Sequence, residues 1–281
     1  MPNKSGTSYS VTDKDCETAF AQCKACEFIA DNRQYKSVVD ATFLRVSDND
    51  EVNAYCAHLS DAVREYLLKE YPGPDWDSYC HMLMVTSGMC RWVTMVAHVC
   101  EYIDRTRKMG EARKMLMWAS ERLTNFNAGS DFVQRFLDEF SIHCDGRSEE
   151  VVRMYAIAIL VGLMGHELGH ACLGHAWTPE QKSLSRNNER CADLFASSVA
   201  QSIGNGYAGA IGAVVLDVSF VWMQGKYSPY VDDSTRKKPN LFRTHPVSTE
   251  RVRSFIDSFN TMLATSPITA KMLLKLTEKG K

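Results

Sequence analysis

The sequence His166-Glu167-Leu-Gly-His170 constrains the fold more than any other segment, because its chemistry requires a helix. In an α-helix, residues four apart lie on one face, so His166 and His170 would stand one turn apart. Two neutral imidazoles in that position can bind one zinc ion, and Glu167 beside them can take a proton from a zinc-bound water. The segment therefore predicts a helical metal site in which Glu167 is the catalytic base.

The residues before this motif predict that its helix is buried. Residues 154–164 are almost wholly apolar and rich in helix formers. Ser148, followed by Glu149 and Glu150, is a suitable N-cap with acidic residues in the first turn. Polar groups on a buried helix need partners, and a metal ion supplies one for two histidines. The alternative is a core helix whose histidines make ordinary hydrogen bonds.

A second segment, Glu189-Arg-Cys-Ala-Asp193, is predicted to lie on a further helix that Asn187 or Asn188 caps. Positions 189 and 193 share one face of that helix. Glu189 is then the third protein ligand of a tetrahedral site that keeps one position open. Asp193 can accept the ring N–H of a zinc-bound histidine, which fixes the tautomer and orientation of that ring. The alternative is a solvated acidic stripe, which the apolar neighbours of the pair disfavour.

A third histidine, His175, follows His170 by five residues. Metzincins place their third zinc-binding histidine six residues after the second. A helix continuing through this region would turn His175 about 180° away from His166. We therefore predict that His175 is not a ligand, and that residues 177–179, which end in proline, break the helix.

The two segments together resemble the gluzincin metallopeptidases related to the heat-shock protease HtpX and to the CAAX prenyl endopeptidases. Further along the chain, His245-Pro246 followed by Arg251 is similar to the His-Pro segment of that family. Upstream, Asn53-Ala54 and a strand that ends at Gly88 resemble its Asn-Ala segment and its glycine-ended strand. The likeness spans about residues 41–255. The stretch between the two upstream segments is long for the family, and membrane spans are not evident, so the closest similarity is to the small soluble members.

The predicted elements indicate a mainly α fold (α+β) with a small β-sheet, and the resemblance implies that this fold is of the zincin type with the motif on its active-site helix. It also implies a zinc-dependent endopeptidase that acts on a protein or peptide substrate with one zinc ion. In such a mechanism the oxyanion of the tetrahedral intermediate needs a donor besides zinc, and His245 is the candidate. The alternative for His245 is a loop histidine that caps the helix beginning near Ser248. Arg251 is expected to hold the local structure together through a carboxylate such as Asp193.

Two other functions are compatible with the motif. The protein could be a non-enzymatic interaction scaffold that retains zinc, or a zinc hydrolase of a non-peptide bond. Structural zinc sites usually fill all four positions and favour cysteine, whereas this motif supplies three ligands and keeps Glu167. A scaffold has no need of Glu167, so that residue distinguishes an enzyme from a scaffold.

Charge and composition narrow the partners and the compartment. A formal net charge of −2 gives no electrostatic footprint for nucleic acid, so no nucleic-acid partner is expected. The N-terminus lacks the apolar core of a secretory signal, which predicts a cytoplasmic protein with reduced cysteines that serve as small buried hydrophobes. The longest apolar run, residues 207–223, contains Asp217 and predicts a buried helix, so membrane contact is not expected. Cys23 and Cys26 match half of a structural zinc site, but no second Cys-x-x-Cys completes it.

The coarse layout has three parts, an N-terminal helical segment with cysteines, a gluzincin-like domain, and a basic C-terminal helix or tail. By resemblance, the second predicted strand lies near the cleft, where substrates of such enzymes add a strand. The parts are residues 1–40, 41–255 and 256–281; the predicted strands are residues 42–47 and 81–86, and the predicted helices are residues 52–70, 91–108, 111–123, 132–140 and 208–224.

Overall fold

The computed structural model describes residues 9–123, 127–143, 145–175 and 182–204, apart from the side chains of residues 109, 113, 120 and 182–186. Within these ranges the chain is mainly helical and contains a three-stranded sheet, in agreement with the predicted mainly α class. The predictions for His245, Arg251, the helix at residues 208–224 and the C-terminal tail lie outside the described residues.

The described elements follow one another with short connections. The strands are β1 (Thr42–Ser47), β2 (Ala54–His58) and β3 (His81–Thr86), and a 3-10 turn spans Trp76–Ser78. The helices are α1 (Asp13–Ala25), α2 (Glu27–Ala30), α3 (Arg33–Asp40), α4 (Asp61–Glu70), α5 (Ser87–Thr106), α6 (Met109–Arg122), α7 (Phe132–Glu139), α8 (Gly146–Cys172) and α9 (Lys182–Ser202).

The sheet has the order β1-β3-β2, with β1 parallel and β2 antiparallel to the central strand. The predicted strands at residues 42–47 and 81–86 are confirmed. The prediction of one helix over residues 52–70 is wrong in its first part, because residues 54–58 form β2 and α4 begins at Asp61. The backbone groups along one side of β3 take β2 as their partner, and this long-range pairing outweighs the local helix pattern.

The two upstream segments of the resemblance meet at the end of this strand pair. The Thr86 hydroxyl donates to the carbonyl oxygen of Asn53 at 2.8 Å and accepts from the Asn53 amide at 3.2 Å. Gly88 follows closely, and a Cβ at that position would overlap the backbone of Asp50 and Glu51. A glycine is therefore required where the chain before β2 crosses the start of α5.

Helix α8 is the central element of the fold. Helices α1, α3, α5 and α9 pack around it, and strands β2 and β3 lie against it as well. By length and composition, α8 could cross a membrane, and it is the helix for which this holds among the described residues. The mean hydropathy of its most apolar window is 1.5. More than half of that apolar window, 56%, is buried against the neighbouring elements, as in the core helix of a folded domain.

The beginning of α8 corrects the predicted cap. The helix begins before Ser148, and Asp145 is its N-cap, because the Asp145 carboxylate accepts from the Ser148 amide at 2.8 Å. One turn further on, Arg153 donates to the buried carboxylate of Asp15 on α1 at 2.8 Å. Burial alone would raise the pKa of Asp15, but hydrogen bonds from Arg153, Thr12 and Tyr9 together lower it. This ion pair joins α1 to the central helix.

Most of the described cysteines are buried thiols in the main core cluster, as predicted. The Cys23 thiol contacts the carbonyl oxygen of Val161 on α8 at 3.8 Å. The Cys16 and Cys90 sulfur atoms lie 3.7 Å apart, where α1 meets α5. These cysteines pack the N-terminal helices onto α5 and α8, which is the role of a small apolar side chain.

Candidate metal centre

The two motif segments lie on α8 and α9, and these helices pack closely against each other. A Cβ at Gly169 would lie 3.1 Å from the Cα of Ala192 and 3.0 Å from the Cβ of Phe195. One turn earlier, Gly165 faces Ala196 in the same way. The small residues within and next to the two motifs therefore let α8 and α9 approach, so that side chains on neighbouring positions reach one another.

The start of α9 differs from the prediction. The helix begins at Lys182, and so both Asn187 and Asn188 lie inside it instead of capping it. Glu189 is consequently in the third turn of α9, where regular helix geometry fixes it relative to Asp193. Both residues are buried, because only 7% of the surface of Glu189 and 2% of that of Asp193 is exposed to solvent. This burial excludes the alternative of a solvated acidic stripe.

The side chains of His166, His170 and Glu189 converge on one point. Their ligand atoms all lie within 4.8 Å of one another, so the group could hold a metal ion. The Nε2 atoms of the two histidines are 3.1 Å apart. The Glu189 carboxylate lies 3.2 Å from Nε2 of His166 and 3.5 Å from Nε2 of His170. The two rings are nearly perpendicular, with an interplanar angle of 82°.

These separations fit a tetrahedral metal ion. Ligand bonds of about 2.0–2.1 Å in tetrahedral geometry require ligand atoms roughly 3.3 Å apart. The three measured separations, 3.1, 3.2 and 3.5 Å, lie around that value. Two imidazoles and one carboxylate are donors that suit zinc and other divalent transition metals, and such a set leaves one position of a tetrahedron for water or substrate.

Asp193 supports His166 from behind, as the sequence predicted. Its carboxylate lies 2.9 Å from Nδ1 of His166, on the side of the ring opposite the ligand nitrogen. The carboxylate accepts the Nδ1–H proton, which leaves Nε2 of His166 without a proton and able to bind a metal. The Asp193 side chain is only 3% exposed, so its charge acts in a medium of low dielectric constant.

His175 was predicted to point away from His166 on a continuing helix, but it lies beside the site. The helix does not continue to His175, because α8 ends at Cys172 and Gly174 adopts φ +65°. His175 is not one of the three converging residues, but its Nδ1 lies 3.0 Å from Nδ1 of His170. Burial lowers the pKa of His175, while Glu189 raises it and His166 lowers it further. The site thus contains a contact that the residue spacing did not suggest.

Glu167 follows the first ligand on α8 and is half-buried. Burial raises the pKa of the Cys56 thiol on β2 to about 12, and the negative charge of Glu167 adds to this rise. Glu167 is therefore on the side of α8 that faces β2. This side of α8 is where an extended substrate would pass in an enzyme that adds a strand to its sheet.

The expected substrate strand is corrected by the sheet order. Strand β3, which was predicted to accept a substrate, is paired on both sides and cannot take another partner. Among the described residues β2 is paired along one side, with β3, and it also packs against α8. The sequence did contain a signal for β2, because Ser60-Asp61 is typical of a helix start and excludes the preceding residues from α4.

Comparison with models of known protein families, with curated proteins and with solved structures found no match to this chain.

Proposed function

We propose that this chain is a zinc-dependent endopeptidase. The observation that carries the proposal is the convergence of His166, His170 and Glu189, with Asp193 behind the first histidine. The set has the composition and the open position of a catalytic site and lacks the fourth side chain of a structural one, among the residues that the structure describes. Glu167, next in sequence to the first ligand, supplies a base.

Zinc is the metal that we propose for this group. Nitrogen and oxygen donors at tetrahedral spacing suit it, and the site offers two neutral rings and an anionic carboxylate. His166, His170 and Glu189 would hold the ion. A zinc ion bound there supplies a Lewis acid, which lowers the pKa of water and polarises a carbonyl group.

Glu167 is proposed as the general base and then as the general acid. Its carboxylate accepts a proton from the attacking water and later donates that proton to the leaving amine nitrogen. The position of Glu167 on the β2 side of α8 supports this role, because a peptide beside the sheet would meet it. From the sequence resemblance we propose His245 as the donor to the oxyanion and Arg251 as a residue that holds the nearby structure.

A peptide is the substrate that the strand arrangement favours. Among the described residues, strand β2 is at the edge of the sheet and next to the helix that carries the site. An extended peptide could pair with the edge of β2 through its backbone, which gives affinity with little dependence on side chains. This observation favours peptide hydrolysis over the hydrolysis of a small non-peptide substrate.

The test uses Glu167→Gln, which preserves the shape of the side chain but removes the base. Purified, zinc-loaded wild type and variant would each be incubated with a library of peptides from a digested proteome, and new N-termini would be identified by mass spectrometry. We expect cleavage by the wild type and a loss of at least about 100-fold in the variant, the contribution typical of a general base. Zinc content of both proteins should be equal.

The matched control is Glu150→Gln, an exposed glutamate near the start of the same helix, which should cleave like the wild type. If wild type and Glu167→Gln give the same peptides while zinc is bound in both, the protein is not an endopeptidase of this mechanism. A scaffold that retains zinc would give that result.

A further inference from the structure

We propose that His175 is a positioning residue that fixes the tautomer of the ligand His170. This inference rests on the proposed metal site and adds a residue that the motif does not contain. His175 is not one of the three residues that converge on the proposed metal position. It acts through the opposite nitrogen of the His170 ring, where the two Nδ1 atoms are 3.0 Å apart.

The end of α8 places His175 there. The Gly174 amide donates to the carbonyl oxygen of Ala171 at 3.2 Å, and the His175 amide donates to that of His170 at 2.9 Å. Together with the positive φ of Gly174, these bonds form a Schellman motif, which reverses the chain at the end of a helix. Because of this reversal, His175 contacts His170 twice, through its backbone amide and through its ring. The backbone contact therefore helps to fix the position of the His175 ring.

The proton positions follow from the requirement for a ligand nitrogen. Nε2 of His170 faces Nε2 of His166 and the Glu189 carboxylate, so it must lack a proton to bind a metal. The single proton of the neutral His170 ring is then on Nδ1. It is donated to Nδ1 of His175, which must be unprotonated, and the proton of the His175 ring is on Nε2. Each ring carries one proton, and the contact consists of one N–H donor and one acceptor.

The two histidine ligands thereby receive different acceptors. Asp193 supports His166 with a buried negative charge, whereas His175 supports His170 with a neutral nitrogen. A neutral acceptor orients the ring and selects the tautomer without adding a second negative charge behind the site. We infer that Glu189 and Asp193 supply the buried negative charge of the site, and that His175 sets the direction of the second ring.

The test separates the acceptor from the volume of the ring. In His175→Asn the side-chain oxygen takes the place of Nδ1 and can still accept the proton. In His175→Phe the ring remains but no acceptor is present. The control is His143→Phe, which replaces an exposed histidine ahead of α8. Zn²⁺ affinity of each metal-free protein would be measured by competition with a chelator, and the absorption spectrum of the Co²⁺ form would report ligand geometry.

We expect His175→Phe to weaken Zn²⁺ binding by about 10- to 100-fold and to change the Co²⁺ spectrum, as for other outer partners of metal-bound histidines. His175→Asn should restore both to within about 3-fold of the wild type, a difference well below that loss. His143→Phe should match the wild type. Far-ultraviolet circular dichroism shows that each variant is folded, and if His175→Phe does not fold, the comparison of His175→Asn with His175→Ala takes its place.

The inference is overturned if His175→Phe binds Zn²⁺ like the wild type with an unchanged Co²⁺ spectrum, or if the asparagine variant is as weak as the phenylalanine variant. Failure of the proposed function looks different. In that case the wild type itself binds no Zn²⁺, or binds it without cleaving peptides.

Discussion

The histidines of α8 and the histidine pair of strands β2 and β3 have similar ring contacts but different charge surroundings. The ring centroids of His166 and His170 are 4.8 Å apart, and those of His58 and His81 are 5.3 Å apart. Both pairs place one ring edge against the other. The pair on α8 lies against the Glu189 carboxylate, whereas among the described residues the pair on the sheet forms no ion pair with a carboxylate.

This difference changes what each pair can bind. Burial lowers the pKa of His81, and His58 lowers it further, so the His81 ring is held in its neutral form. Around the pair on α8, Glu189 and Asp193 together supply two buried negative charges. The pair on α8 therefore differs from the pair on the sheet in the carboxylates that α9 places beside it, and Glu189 completes a group that could hold a metal ion.

The largest expected effect comes from making the α8 pair resemble the sheet pair. Glu189→Gln removes the anionic member of the proposed ligand set and leaves two histidines next to a neutral amide. We expect Zn²⁺ affinity to fall by more than about 100-fold, beyond the range for an outer partner. Competition with a chelator would measure the Zn²⁺ affinity, and Glu150→Gln on α8 would be the control. Unchanged affinity would show that Glu189 is not a ligand.

A smaller effect is expected when the negative charge of Asp193, which contacts His166 and not the metal position, is removed. Asp193→Asn keeps an oxygen that can accept the Nδ1–H of His166, but the buried negative charge is lost. We expect Zn²⁺ affinity to fall by about 10- to 100-fold, less than for Glu189→Gln. The Co²⁺ spectrum should keep the shape of the wild type, because the ligand set is the same. A larger loss than that of Glu189→Gln would reverse the assignment of the two carboxylates.

The smallest effect concerns the pair His58 and His81 on the sheet, and it is expected in the free energy of unfolding. Because the folded-state pKa of His81 is lowered, the folded protein binds fewer protons there than the unfolded chain. The free energy of unfolding should therefore decrease as pH falls below the ordinary histidine pKa of about 6.5 and on through the lower folded-state pKa.

His81→Phe should flatten this decrease, which urea unfolding at a series of pH values would measure. His143→Phe, at an exposed position, serves as the control and should keep the slope of the wild type. Equal slopes in wild type and His81→Phe would mean that protonation of His81 does not oppose folding.

The site could be predicted from sequence to the extent that helix geometry is local. A spacing of four residues places His166 beside His170, and the same spacing places Glu189 on the face of Asp193. The predicted contact of Asp193 with His166 is present in the structure. The cap of α8, the start of α9 and strand β2 were missed or misplaced, because each depends on competing backbone partners that a local pattern does not reveal.

By itself, the sequence determined which side chains share a helix face and which small residues stand between them, since both follow from 3.6 residues per turn. Only the tertiary structure decided that the glycines of α8 meet the alanines of α9, that β3 instead of β2 is the central strand of the described sheet, and that His175 returns to His170. These features depend on the packing of segments distant in the chain and on one residue, Gly174, in a left-handed conformation. Residue spacing specifies positions within an element, whereas contacts between elements are set by the total free energy of packing.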